Sequence, residues 1–394
     1  MLSIYTLAPI ASIVVLSAYA ILFVGRREST LPPGPPTVPI LGNLHLIPTK
    51  GSYLTFTKWA KQYGGIYSLK LGPATAIVLT DRKHVKQLID KRGSIYSDRP
   101  HSYVAHDLIS SGHHVLLCHY SKLWQRYRRS INSHYSESIV EKDHLPVQNA
   151  EANQMLYDMM TDPGNHMLHP KRYSNSIACS TIWGVRSPTV DTPHMTRLYD
   201  MMERWSVVME PGNTPPVDIF PFLHWIPEIV FGRWRSRAKG VGDEMNGLYS
   251  DMLSQLEARR QKHGSQGSFM DRVLDQQEKL ELTRHQTWFL GGTMMEGASD
   301  TSSSIIIAAV QAFVVWPEVQ KQAWQEIDAV IGNDRSPTWQ DYEKLPYVAA
   351  TVKEAMRWRP VVPLAFPHAL TEDGGYFDIP SRFFADTGRL DRWL

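Results

Sequence analysis

Residues 288–315 read WFLGGTMMEGASDTSSSIIIAAVQAFVV. The stretch is long enough to cross a domain as one helix, and most of it is apolar all round, which marks a buried helix rather than a surface one. A polar interruption, Gly297-Ala298-Ser299-Asp300-Thr301-Ser302, sits in its middle. A buried helix with an acid beside a hydroxyl, flanked by small residues, has given up packing and propensity there. Two readings stand. Small residues admit something bulky against the backbone, and Asp300 and Thr301 are suited to hand it protons. Or the helix crosses a neighbour at its small residues, and Thr301 bonds back to its own turn.

Around this stretch the chain reads as mainly helical. Helices are expected near 121–136, 147–160, 173–183, 193–209, 235–263, 269–278, 283–315, 317–331, 339–345 and 346–357 from apolar periodicity and caps. Residues 66–72 and 76–80 read as two strands of a hairpin turning at Gly72-Pro73, and Asp81 caps a following helix. The fold class is thus mainly α with a small β-sheet. There is no internal repeat. The 394 residues, 43% hydrophobic with 12 Trp and 17 Tyr, suffice for one large core. A formal charge of +2 is too small to argue for a nucleic-acid partner. Two cysteines, Cys118 and Cys179, make no disulfide framework.

Residues 2–24 carry no charged side chain and are long enough to span a bilayer. Arg26 and Arg27 follow, which predicts a retained single-pass anchor with the body facing the cytosol. Residues 25–37, with Pro32-Pro33-Gly34-Pro35-Pro36, read as a stiff linker.

Three constellations stand out. Trp124 and Arg128 are four apart and share a helix face, while Lys122, Arg126 and Arg129 form a basic stripe on the opposite face. Glu354 and Arg357 are spaced for an ion pair across one turn, worth about half a kcal/mol on a surface. His113-His114 is adjacent rather than helically paired and is expected at the surface. No His-x-x-x-His with a nearby carboxylate is present, and there is no glycine-rich phosphate loop between a strand and a helix and no nucleophile elbow.

In order and separation, the anchor, the proline segment, Trp124-x-x-x-Arg128, Gly297-Ala298-Ser299-Asp300-Thr301 and Lys353-Glu354-Ala355-Met356-Arg357 resemble a microsomal cytochrome P450. Gly184-Val185-Arg186-Ser187-Pro188 and Pro215-Pro216-Val217-Asp218-Ile219-Phe220-Pro221 are similar to fungal secondary-metabolism members of the O-methylsterigmatocystin oxidoreductase kind. The resemblance implies a P450 fold over residues 38–380 and a haem b cofactor. Asp300 and Thr301 would relay protons on its distal face. Trp124, Arg128 and His368, the last in a position where the family has Arg or His, would meet the propionates. Glu354 and Arg357 would join a structural network behind the haem. Lys122, Arg126 and Arg129 would face an NADPH–cytochrome P450 reductase at the endoplasmic reticulum membrane. The substrate would be a small apolar metabolite.

The family's iron ligand is a cysteine in a Phe-x-x-Gly-x-Arg-x-Cys-x-Gly loop downstream of the Glu-x-x-Arg helix, and its thiolate drives O–O cleavage. No cysteine follows Cys179 here, so no metal ligand is assigned. Residues 381–394 depart from the family pattern. The expectation is an incomplete member, inactive as it stands. The alternatives are an active monooxygenase in a longer gene product, or a non-catalytic helical protein that binds an apolar ligand.

Overall fold

The structure is a computed structural model that describes residues 22–372 except 211, residue 18, and the backbone of 392 and 393. The expected membrane span, 2–24, and the divergent tail, 381–394, lie almost wholly outside the described residues.

The long helix is α8 in chain order, Arg284–Val315, and the molecule is built round it. The elements before it are α1 (Ser52–Tyr63), β1 (Ile66–Leu71), β2 (Ala74–Leu79), α2 (Lys122–His134), α3 (Leu145–Thr161), α4 (His169–Trp183), α5 (Pro193–Met209), α6 (Trp234–His263) and α7 (Phe269–Asp275). After it come α9 (Pro317–Val330) and α10 (Pro346–Trp358). A capping box starts α8: Thr283 Oγ1 accepts from the Gln286 amide, and Gln286 Oε1 accepts from the Thr283 amide. Pro317 stops it, because a residue before proline is pushed out of the helical region; Trp316 sits at φ −127°, ψ 73°.

Side-chain size fixes how α8 packs. A Cβ on Gly291 would stand 2.5 Å from the Trp183 ring of α4, and one on Gly292 would stand 2.2 Å from the Tyr249 ring of α6. Two bare positions in succession therefore let two large aromatics lie on the backbone. Phe289, Leu290 and Met295 complete this contact in a core that also holds Cys179, Trp234, Met245 and Met252. Each such side chain contributes about 1.5–3 kcal/mol by leaving water. Among the described residues, α8 is the helix long and apolar enough to cross a membrane; its first half packs on α4 and α6.

β1 and β2 pair antiparallel from Ile66↔Leu79 to Leu71↔Ala74, with Gly72 at φ 63° in the turn. A short β3, Arg392–Trp393, pairs parallel to β2. Tyr67, Leu69 and Ala76 pack against Phe56, Trp59 and Tyr63 of α1. Arg27 fastens the proline segment to the hairpin, donating to the Gly34 carbonyl (2.8 Å), the Pro35 carbonyl (2.8 Å) and Ser68 Oγ (2.9 Å).

α5 and α6 fall where periodicity and caps put them, and Asp81 caps its helix through the Lys83 amide at 2.7 Å. That helix is broken, regular over Arg82–Val85 and wider over Lys86–Asp90. The helix expected over 269–278 also divides, into α7 and a turn at Gln277–Leu280. Wider π-helical turns over Tyr103–Ser110 and Val140–His144 were not expected, since they lack the 3.6-residue period.

Candidate haem-facing site

Three hydroxyls in the polar turn of α8 bond back to their own helix. Ser299 Oγ donates to the Met295 carbonyl (2.7 Å), Thr301 Oγ1 to the Gly297 carbonyl (2.8 Å) and Ser303 Oγ to the Asp300 carbonyl (2.9 Å). Each adds a second donor to a carbonyl of the helix, which loosens it locally. Thr301 thus makes the local bond of the second sequence reading. The turn is nonetheless not closed by a neighbour. Gly297, Ala298, Thr301 and Ser302 are exposed, and a Cβ on Gly297 would meet nothing within 4 Å. Ala298, Thr301 and Ser302 border a cleft of about 540 Å³, whose other walls include Ile305 of α8, Tyr173 and Ile177 of α4, and Met356. The helix is therefore buried in its first half and open along one side from Gly297 on.

Asp300 opens elsewhere. It lines a second cleft, about 570 Å³, with Lys171 of α4 and Tyr199, Asp200 and Glu203 of α5. Burial raises its carboxyl above the usual range, Lys171 opposes the rise, and Glu296 one turn earlier adds to it. The acid and the hydroxyl, adjacent in sequence, thus face two different spaces, because successive helical residues point about 100° apart.

Asp98 links the neighbourhoods of Trp124 and His368. Ser121 Oγ caps α2 by accepting from the Trp124 amide, and Arg128 follows one turn later, exposed and with no partner among the described residues. Tyr120 stacks obliquely on Trp124 at 5.1 Å, and its amide donates to Asp98 Oδ1 at 2.8 Å. The Asp98 carbonyl in turn accepts from the Ala369 amide at 2.8 Å. His368 is thereby placed on the same side as Trp124. Its Nδ1 donates to the Tyr96 carbonyl at 2.5 Å, and burial holds its pKa down; a carboxylate at Nε2 would favour the protonated ring, whose Nε2–H can donate to it. Arg99 belongs to this cluster, donating to the carbonyls of Pro367 (2.8 Å) and Phe366 (3.1 Å). Sequence reasoning missed it, since its partners lie about 270 residues away and no local spacing announces them.

On the other face of α2, Lys122 and Arg129 are exposed, and Arg126 pairs with Glu281. Glu354 and Arg357 do pair, at 2.5 and 2.7 Å, but both are mostly exposed and have no third partner among the described residues. The histidine expectation is corrected. His114 is 3% exposed, not a surface residue, and its Nε2 lies 2.8 Å from Glu296 Oε2. His113 is half-buried, with Nδ1 2.6 Å from His285 Nδ1.

A porphyrin fits these residues at two places. The bare turn at Gly297-Ala298 gives a flat ring room against the helix. Arg128, an unpaired guanidinium one turn after Trp124, suits a carboxylate at the ring edge. The axial position has no fit. Cys118 is buried, its Sγ 3.5 Å from the His119 carbonyl, and burial pushes its thiol up to about 11. Cys179 is wholly buried within α4, its thiol pushed up to about 12 by the same cause. Neither lines the cleft, and neither is a thiolate near neutral pH.

Known proteins resemble this chain over most of its length. A family model described as Cytochrome P450 matches residues 32–380. The chain is 54% identical over 367 residues to cytochrome P450 monooxygenase atE of Aspergillus terreus, covering 93% of this chain and 68% of that protein. It is 49% identical over 371 residues to cytochrome P450 monooxygenase patH of Aspergillus clavatus, covering 93% and 71%. A zebra fish cytochrome P450 solved with progesterone superposes with a TM-score of 0.66 at 20% identity, over 82% of this chain and 74% of that one. A family match over most of the chain, with relatives at about half identity, leaves one assignment: the chain belongs to the cytochrome P450 family, whose cofactor is haem.

Proposed function

We propose that these residues form the distal and edge walls of a haem monooxygenase of fungal secondary metabolism, one that oxidises a small apolar metabolite. The reading rests on one observation above the rest: the polar turn of α8 lies bare along a cleft at Ala298, Thr301 and Ser302. Trp124, Arg128 and His368 would hold the ring edge, and Arg99 would brace the 366–369 segment on which His368 sits. Haem with a thiolate ligand activates dioxygen and transfers one oxygen atom to a substrate. The chain's own part is proton handling and exclusion of water. Asp300, facing the solvent-open cleft beside Lys171, would take up protons from water. Thr301 would present a hydroxyl whose proton now rests on the Gly297 carbonyl and whose lone pairs are free to accept. The apolar side chains Met294, Ile305 and Val361 would keep the chamber dry.

Electrons would come from NADPH through a reductase that docks on Lys122, Arg126 and Arg129, at the endoplasmic reticulum membrane to which residues 2–24 would attach the body. Specificity would lie in 96–111 and 192–225. Because Cys118 and Cys179 are buried neutral thiols that do not line the cleft, residues 1–394 by themselves supply no thiolate to the iron, and we infer that they do not oxygenate alone. Titration of the purified chain with haem, followed by quenching of tryptophan fluorescence, tests the site. Saturation at one haem per chain is expected; no saturable binding would refute it.

A further inference from the structure

A line of hydrogen bonds crosses the core from the start of α5 to the polar turn of α8. His194 Nε2 lies 2.7 Å from Ser187 Oγ. Ser187 Oγ donates to Asn175 Oδ1 at 2.7 Å, Asn175 Nδ2 donates to Ser299 Oγ at 3.1 Å, and Ser299 Oγ donates to the Met295 carbonyl at 2.7 Å. Ser187, Asn175 and Ser299 are fully buried. A hydroxyl has one proton to give. Ser187 gives its proton to Asn175, so His194 Nε2–H must be the donor to Ser187. The line then runs one way through four side chains and ends on a backbone carbonyl one turn before Ser299. Its middle is closed to solvent, so a broken link leaves a buried donor or acceptor site unfilled.

Two further bonds tie the same elements. The Ser187 amide donates to Ser176 Oγ at 3.1 Å, which fixes the 184–192 loop on α4. Tyr199 of α5 places its hydroxyl 3.1 Å from the Ser299 carbonyl, so α5 grips the polar turn at a second point. The residues either side of these anchors in α8 are Ala298, Asp300 and Thr301, the open part of the helix.

We infer that His194 is a positioning residue for the Ser299–Asp300–Thr301 turn, acting through Ser187 and Asn175, and that it sets where the acid and the hydroxyl stand. What that turn does rests on the reading above; the hydrogen-bonded line does not. Neither His194 nor Ser187 touches the cleft beside Thr301.

Backbone amide exchange on the haem-free full chain tests the inference, so a failure here leaves the haem reading standing, and a failed haem titration leaves this one standing. His194→Phe keeps a ring and removes the donor. It should speed exchange across residues 295–304 by roughly fivefold or more. His194→Gln restores an N–H near the Nε2 position and should bring exchange there back within about twofold of the unsubstituted chain. Coupling of this kind is reciprocal. Ser299→Ala, which removes the far acceptor, should therefore speed exchange over residues 187–195. Acceleration by His194→Phe confined to 187–195, or a glutamine no better than phenylalanine, would overturn the inference. If His194→Phe does not fold, Ser299→Ala decides alone: unchanged exchange at 187–195 overturns it.

Discussion

His114 and Glu296, 182 residues apart, meet at 2.8 Å with only 3% and 6% of their surfaces in contact with solvent. Trp205 lies flat on the imidazole at 5.7 Å with the planes 6° apart. The pair joins the 111–120 loop to α8 one residue before the bare turn begins. Removing one partner strands the other in the core, which costs more than removing both. His114→Ala should lower stability by about 3 kcal/mol or more in urea unfolding. The double variant His114→Leu, Glu296→Met should fall within about 1 kcal/mol of the unsubstituted chain.

Glycines of α8 should respond in opposite directions according to what lies over them. Gly292→Ala drives a methyl into the Tyr249 ring and should cost about 1–3 kcal/mol. Gly297→Ala meets open space in a helix interior and should add about 0.5–1 kcal/mol. Chemical denaturation of the two variants side by side checks both signs.

His134 makes the fold acid-sensitive. Burial is the main reason its pKa falls to about 4 from 6.5, with Arg272 and His144 adding to it. Between those values the unfolded chain binds a proton that the folded chain refuses. Stability should therefore drop as pH is lowered from about 6.5 to about 4 and change no further on this account below it. Unfolding midpoints across that window should decline less steeply in His134→Phe.

Much of the architecture is written locally. α8 announces itself by length, apolarity and the Thr283/Gln286 capping box, and α5 by Pro193 at its first position. The bare turn is legible because Gly297-Ala298 next to Asp300-Thr301 is an odd choice for a buried helix. What could not be read is non-local. His114 gives no sign of Glu296, nor Arg99 of Pro367, nor Asn175 of Ser299, since each pair is joined only by the tertiary packing. The wide turn Tyr103–Ser110 escaped because its hydrogen-bond period differs from that of an α-helix. α1 escaped because it covers only the hairpin and buries none of its own residues fully.

Arg128 should matter to haem and not to the fold. Its guanidinium has no partner among the described residues, so Arg128→Ala should change unfolding stability by no more than about 0.5 kcal/mol. A lost charged contact to a propionate should weaken haem binding by about tenfold or more. Fluorescence titrations of the variant and the unsubstituted chain give the ratio.

The most direct test is the difference spectrum of the haem-loaded, reduced chain before and after carbon monoxide. The account predicts one bound haem per chain, without the red-shifted Soret band of a thiolate-ligated iron, and no NADPH-dependent oxygenation when reductase is added. A thiolate-type spectrum from residues 1–394, or a chain that takes up no haem, would contradict it.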